Sequence, residues 1–273
     1  MSRISQCFDT LQQQGKTALI SYITAGDPEP WVTVPTLHAL VDAGADILEL
    51  GIPFSDPMSD GPVIQKACER ALKNDISIHH VLEMVRQFRE KDNETPIVLM
   101  GYANPLEAMG YQQFAQLAQQ VGVDGVLTVD MPPEESDDFL AIMDGHHIDT
   151  IFLIAPTTST ERMAKIAHYA RGFVYYVSIK GVTGTAALDV DNVADKIAQI
   201  RQCTKLPLGV GFGIRDSQSA AAVAKIADAV VVGSALVNCI EEHADKPEQI
   251  SMAVAAILSE MRHAINAQDA DRR

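Results

Sequence analysis

Long hydrophobic runs are missing from this chain of 273 residues. No stretch holds roughly 18 uninterrupted apolar residues, so no membrane-spanning helix is expected. The start, MSRISQCFDTLQQQGK, has no apolar segment behind Arg3, so no secretory leader is expected either. Cysteine is scarce: the four, Cys7, Cys68, Cys203 and Cys239, lie far apart with no C-x-x-C pair. They read as small apolar packing residues in a reducing compartment, and the cytoplasm is the expected location. Positive charge is also short, with 21 Lys and Arg against 36 Asp and Glu and a formal net charge of −15. That balance excludes nucleic acid and anionic membrane surfaces as partners, because both demand clustered basic residues. Eight histidines are present, but neither H-E-x-x-H nor H-x-H occurs, so no metal site is expected. No Pro/Gly/Ser-rich linker or low-complexity block divides the chain.

What is present is a repeated alternation. Eight short apolar or β-branched runs are bounded by turn signals: 18–24, 46–51, 96–102, 124–130, 149–155, 173–178, 207–213 and 228–234. Between them lie segments of helical periodicity, including 31–44, 105–122, 161–170 and 190–202. Strand and helix alternating eight times imply a parallel sheet covered on both faces. The runs are short, similar in length and evenly apolar, which favours an α/β fold closed into a single (β/α)8 TIM barrel over an open doubly wound sheet. Such barrels run to about 250 residues as one domain, so 1–273 is read as one domain. Residues 1–14 read as an extra N-terminal amphipathic helix, and AQDADRR at 267–273 as a fraying polar tail. The connection between the second and third runs is longer than the others and carries two helical stretches. Barrel enzymes build their sites from loops at the carboxyl ends of strands, so chemistry is expected there.

In the second run, DILELG, alternation puts Ile47, Glu49 and Gly51 on one face and Leu48 and Leu50 on the other. The two leucines suit the helix layer, which leaves Glu49 inside the barrel. A carboxyl group stripped of water has a raised pKa and can both give and take a proton near neutrality. The alternative is a structural Glu paired with an inward base, but none of the eight runs contains Lys or Arg. The following loop, GIPFSDPMSDGP, is stiffened by Pro53, Pro57 and Pro62 and presents Asp56 and Asp60; on these grounds alone either acid could belong to a simple surface turn. GVGFGIRDSQSA (209–220) and VVGSALV (231–237) each place glycines at a strand end before a helix. N–H groups at helix starts bind phosphate without basic side chains, and barrel phosphate sites use the loops after strands seven and eight. The first of these is no dinucleotide fingerprint, because Ile214 stands where the third glycine would be. SIKGVTGTAALDV (178–190), with Gly181 and Gly184 as hinge points, reads either as a closing lid or as an ordinary long loop.

LELGIPFSDPMSDGPVIQ, together with YITAGDP, YYVSIKGVTG, GFGI and VVGSA in that order, resembles the alpha chain family of tryptophan synthase along the whole sequence. The first motif is highly specific. The resemblance implies an α/β barrel that cleaves indole-3-glycerol phosphate to indole and glyceraldehyde 3-phosphate, a retro-aldol lyase reaction of tryptophan biosynthesis. It also implies assembly with a beta chain into an α2β2 tetramer, with pyridoxal phosphate in the beta chain and no cofactor in this one. Carried over by motif, Glu49 is the general acid–base and Asp60 binds the indole N–H. Tyr175 lies near the reacting glycerol end. Tyr22, Met100, Tyr102, Leu127, Leu153 and Phe212 line the indole slot, and phosphate rests on Gly184, Gly213, Gly233 and Ser234. Pro53, Asp56 and Thr183 belong to loops that face the partner or close the site. Two positions depart from the family pattern: Ser59 stands where Ala is usual, adding a hydroxyl beside Asp60, and Lys180 precedes Gly181 at a variable place.

Two other readings keep the fold. One is a different phosphosugar barrel, an isomerase or aldolase of tryptophan or histidine synthesis; a Schiff-base aldolase needs an inward strand Lys, and none is visible. The other is a non-catalytic subunit that activates a partner, whose mark would be loss of the acid pair, yet both acids are present.

Overall fold

The computed structural model describes residues 2–178, 190–211 and 213–271. Its strands are β1 (Ala18–Thr24), β2 (Ile47–Gly51), β3 (Ile97–Gly101), β4 (Gly125–Thr128), β5 (Asp149–Ile154), β6 (Val174–Val177), β7 (Leu208–Gly211) and β8 (Ala229–Val232), paired in sequence order into a closed barrel with β8 returning to β1. Every pairing is parallel. The open-sheet alternative is therefore set aside. The helices in chain order are α1 (Arg3–Gln13), α2 (Pro30–Asp42), α3 (Pro62–Leu72), α4 (Ile78–Arg89), α5 (Ala103–Met109), α6 (Tyr111–Val121), α7 (Asp137–Gly145), α8 (Thr160–Tyr169), α9 (Val190–Arg201), α10 (Ser217–Ala224), α11 (Ser234–Glu242) and α12 (Ile250–Ala270). Among the described residues no helix is long and apolar enough to cross a membrane.

Side-chain alternation sorts the strands into two apolar layers. Leu19, Ile23, Leu48, Leu50 and Val210 join the outer layer against the helices, while Ala18, Ile20, Ile47, Val98 and Val231 fill the barrel interior. Ile4, Phe8 and Leu11, one face of α1, pack into that interior layer from the amino-terminal ends of the strands. Phe8 meets Phe173 with ring centroids 5.8 Å apart. Polar clamps hold the helix there. Ser2 caps it by accepting from the Ser5 N–H. Arg3 donates to Asp124 at 2.8 Å, and Asp124 also receives Arg89 at 2.8 Å and the Ile97 N–H.

Two expectations need correction. The segment 105–122 is not one helix: Gly110 adopts φ 88°, ψ 125°, a conformation that favours glycine, and splits it into α5 and α6. The tail at 267–273 does not fray from 267, because α12 continues through Ala270 and Asp269 is only 2% exposed. The Asp269 carboxylate accepts from the Thr17 N–H at 2.9 Å and from the Thr17 hydroxyl at 2.7 Å, tying the last helix to the edge of β1. Charge-assisted bonds of this kind contribute about 1.5–3 kcal/mol each, which offsets the entropy of ordering the chain end.

Candidate active site

The connection between β2 and β3 holds α3 and α4, as its length suggested, and its first turn forms part of the barrel mouth. Glu49, in register between Tyr22 of β1 and Val98 of β3, is 1% exposed. Its Oε1 has no hydrogen-bond partner among the described residues. Loss of water, with the nearby Asp60 carboxylate adding to it, pushes the Glu49 pKa up to about 8. At neutral pH this side chain is therefore mainly a neutral acid.

Asp60 reaches the same place from the loop. Its own N–H donates to the Pro57 carbonyl, and the Gln65 side-chain amide of α3 donates to the Asp60 carbonyl at 2.9 Å, so the backbone is pinned on both sides. The Tyr102 hydroxyl donates to Asp60 Oδ2 at 2.9 Å. Burial raises the Asp60 pKa and the Tyr102 bond opposes that rise. Ser59 meets the phenol through its backbone: the Ser59 N–H donates to the Tyr102 oxygen at 3.0 Å. Two carboxyl groups thus share one space in unlike surroundings, one bare and one hydrogen-bonded.

Tyr22 and Tyr175 stand beside them, both buried, and burial pushes both phenols well above their usual pKa, with Glu49 and Asp60 adding to the shift. Each points at a strand-end glycine, Tyr22 at Gly51 and Tyr175 at Gly211, where any Cβ would collide with the ring. Met100, Leu153, Tyr175, Glu49 and Asp60 line one cavity of about 760 Å³ together with Gly213, Gly233 and Ser234. Leu127 and Tyr102 lie outside that lining: Leu127, paired with Met100 and Ile151, is fully buried in the interior layer, and Tyr102 is buried behind Asp60. Val129, two residues further along, meets the cavity instead, as do Val177 and Ile64. Continued alternation past Leu127 and Tyr175 would have found the two valines.

The two helix starts after β7 and β8 differ. Asp216 caps α10 by accepting from the Ser219 N–H at 2.8 Å, so that terminus is already supplied with a carboxylate. Gly233 leads into α11 with no side-chain cap, which leaves the first N–H groups available to an anion. Gly213, at φ 83°, brings its own backbone to the same cavity. Of the loop residues, Pro53 is buried and Asp56 is exposed. Thr183, Gly184 and Phe212, with the rest of the suggested lid at 179–189, lie outside the described residues.

This arrangement has close relatives. The family model described as tryptophan synthase alpha chain matches residues 8–266. The chain belongs to the tryptophan synthase alpha chain family. It is 60% identical to the tryptophan synthase alpha chain of Thioalkalivibrio sulfidiphilus over 266 residues, covering 97% of this chain and 100% of that one. The Nitrosococcus oceani alpha chain is 59% identical over 269 residues, with 98% and 99% covered. The crystal structure of tryptophan synthase subunit alpha from Legionella pneumophila superposes with a TM-score of 0.91 at 48% identity, covering 98% of this chain and 99% of that one. Membership of the tryptophan synthase alpha chain family makes the protein a lyase subunit of tryptophan biosynthesis.

Proposed function

We propose that this chain cleaves indole-3-glycerol phosphate to indole and glyceraldehyde 3-phosphate, with Glu49 as general acid–base and Asp60 as the stabiliser of positive charge. The observation that carries the reading is the pair of unlike carboxyls in one largely apolar cavity. Glu49, neutral at pH 7, donates its proton to C3 of the indole ring. The ring then carries a positive charge shared with its nitrogen, and Asp60 accepts the N–H and stabilises that charge. The Glu49 carboxylate, now ionised, takes the proton of the glycerol hydroxyl next to the ring. That electron pair forms the aldehyde, the carbon–carbon bond breaks, and its electrons restore the aromatic indole. Glu49 ends protonated, as it began.

Tyr175 flanks the reacting end. Tyr22, Met100, Tyr102, Leu127, Leu153 and Phe212 are assigned to the indole slot, with Leu127 supporting it from the layer below. Gly184, Gly213, Gly233 and Ser234 are assigned to phosphate, chiefly at the uncapped start of α11. Pro53, Asp56 and Thr183 are assigned to the loops that close the site or meet a partner. The chain works as one barrel domain in the cytoplasm within an α2β2 tetramer, and pyridoxal phosphate belongs to the beta chain. A Schiff-base aldolase is disfavoured because the inward faces of the strands present no lysine.

The test is indole release from indole-3-glycerol phosphate by the purified chain, alone and with the beta chain. Slow release alone and faster release in the complex are expected. No indole in either assay would overturn the assignment.

A further inference from the structure

Tyr102 stands at the end of β3, 42 residues from Asp60 in sequence, yet it holds the Asp60 loop at three points. Its ring stacks on Phe54 with centroids 5.1 Å apart and planes 29° from parallel. Its oxygen receives the Ser59 N–H, and its proton goes to Asp60 Oδ2. An oxygen that already accepts from Ser59 has its own proton turned toward the acid, and a donor that is itself hydrogen-bonded is strengthened by polarisation.

We infer that Tyr102 is the positioning residue of this site: fixed by Phe54 and Ser59, its phenol occupies one Asp60 oxygen and leaves the other to receive the substrate N–H. The inference rests on the reaction proposed above. The Ser59 contact is made by its backbone N–H, so the alanine usual at this position would keep it. The titratable groups facing Asp60 are Glu49 of β2, Tyr22 of β1, Tyr175 of β6 and Cys68 of α3, besides Tyr102 itself. The Asp60 charge raises the pKa of Glu49, Tyr22, Tyr175 and Cys68, whereas Tyr102 is the member of this group that lowers the Asp60 pKa, by its hydrogen bond.

The experiment follows the Asp60 carboxyl directly, by carbon-13 NMR titration of protein labelled at aspartate γ-carbons, with Asp60→Asn to assign the signal. Tyr102→Phe keeps the ring on Phe54 and removes only the hydroxyl. Its Asp60 midpoint is expected to rise by about one pH unit, the equivalent of one charge-assisted hydrogen bond. In the indole-release assay the acid limb of the Tyr102→Phe profile moves up with the midpoint, and KM for indole-3-glycerol phosphate rises more than kcat falls. An Asp60 midpoint unchanged in Tyr102→Phe overturns the inference. The titration does not depend on turnover, so a wild-type chain that releases no indole would sink the proposed reaction while the NMR result still decides the role of Tyr102.

Discussion

Gly211 and Tyr175 divide one volume between them: a Cβ on Gly211 would lie 2.7 Å from Cζ of Tyr175 and closer still to its hydroxyl. Gly211 ends β7 and Tyr175 sits on the neighbouring β6, so the missing side chain is what lets the phenol reach the acid pair.

Gly211→Ala is therefore expected to displace the Tyr175 ring. Overpacking of this kind costs about 1–3 kcal/mol, and a shift of roughly 1 Å in a site group lowers turnover by about 100-fold. Thermal melting and indole release measure the two effects. Gly209→Ala is the control: its Cβ would make only ordinary contacts, 3.4 Å from Phe173, and near-wild-type activity is expected. Equal damage from both substitutions would show that the strand, and not the tyrosine, is the sensitive element.

Glu49→Gln tests the acid. Turnover should fall by about 10²–10⁴-fold while substrate binding persists, as measured by single-turnover kinetics and calorimetry. Stability gives a second readout. The Glu49 pKa is raised in the folded chain, from an ordinary 4.5 to about 8, so between those values the folded state holds the proton that the unfolded state has lost. Wild-type stability from this group is complete below pH 4.5 and declines as pH rises to about 8, by up to about 1.4 kcal/mol per pH unit. Glu49→Gln abolishes that slope, so denaturant curves for the two proteins should diverge with rising pH in favour of the variant. Parallel curves from pH 5 to 8.5 would show that the carboxyl is ionised throughout.

Removal of residues 267–273 should destabilise the chain, because it strips Thr17 of both bonds to Asp269. A loss of about 2–4 kcal/mol in urea denaturation is expected, with Asp269→Ala accounting for most of it. A truncated chain as stable as the full one would show that the terminal turn contributes nothing.

Ser234→Asp places a carboxylate at the start of α11, where the phosphate is assigned. KM for indole-3-glycerol phosphate should rise at least about tenfold, with the melting temperature unchanged or slightly higher because an acid suits a helix N-terminus. Inorganic phosphate should compete with substrate in the wild type and not in the variant. Unaltered KM would move the phosphate elsewhere.

The inward place of Glu49 in the candidate site could be read from the chain because its strands are buried on both faces. There a period of two leaves each residue only two choices, and Leu48 and Leu50 decide for Glu49. Asp60 was different. Its aim depends on Tyr102, and no local pattern in a proline-rich loop reports a partner 42 residues away. The same blindness explains the tail, where a polar composition hid a carboxylate bound to Thr17 across 252 residues. It explains 105–122 in reverse: the apolar spacing runs on through Gly110, and only the backbone angle breaks the helix. At the start of α10 the acid that takes the terminus, Asp216, was visible in the sequence, but its role as a cap is a matter of geometry.

The first helix has a bearing on traffic. With Ile4, Phe8 and Leu11 driven into the amino-terminal end of the barrel, the tube is stoppered there by hydrocarbon. On the proposed reaction, an apolar product released beside Glu49 meets hydrocarbon at that end and leaves by the opposite one. A beta chain seated over the opposite end, as proposed, would be its first recipient, and the stopper is what gives the exit its direction.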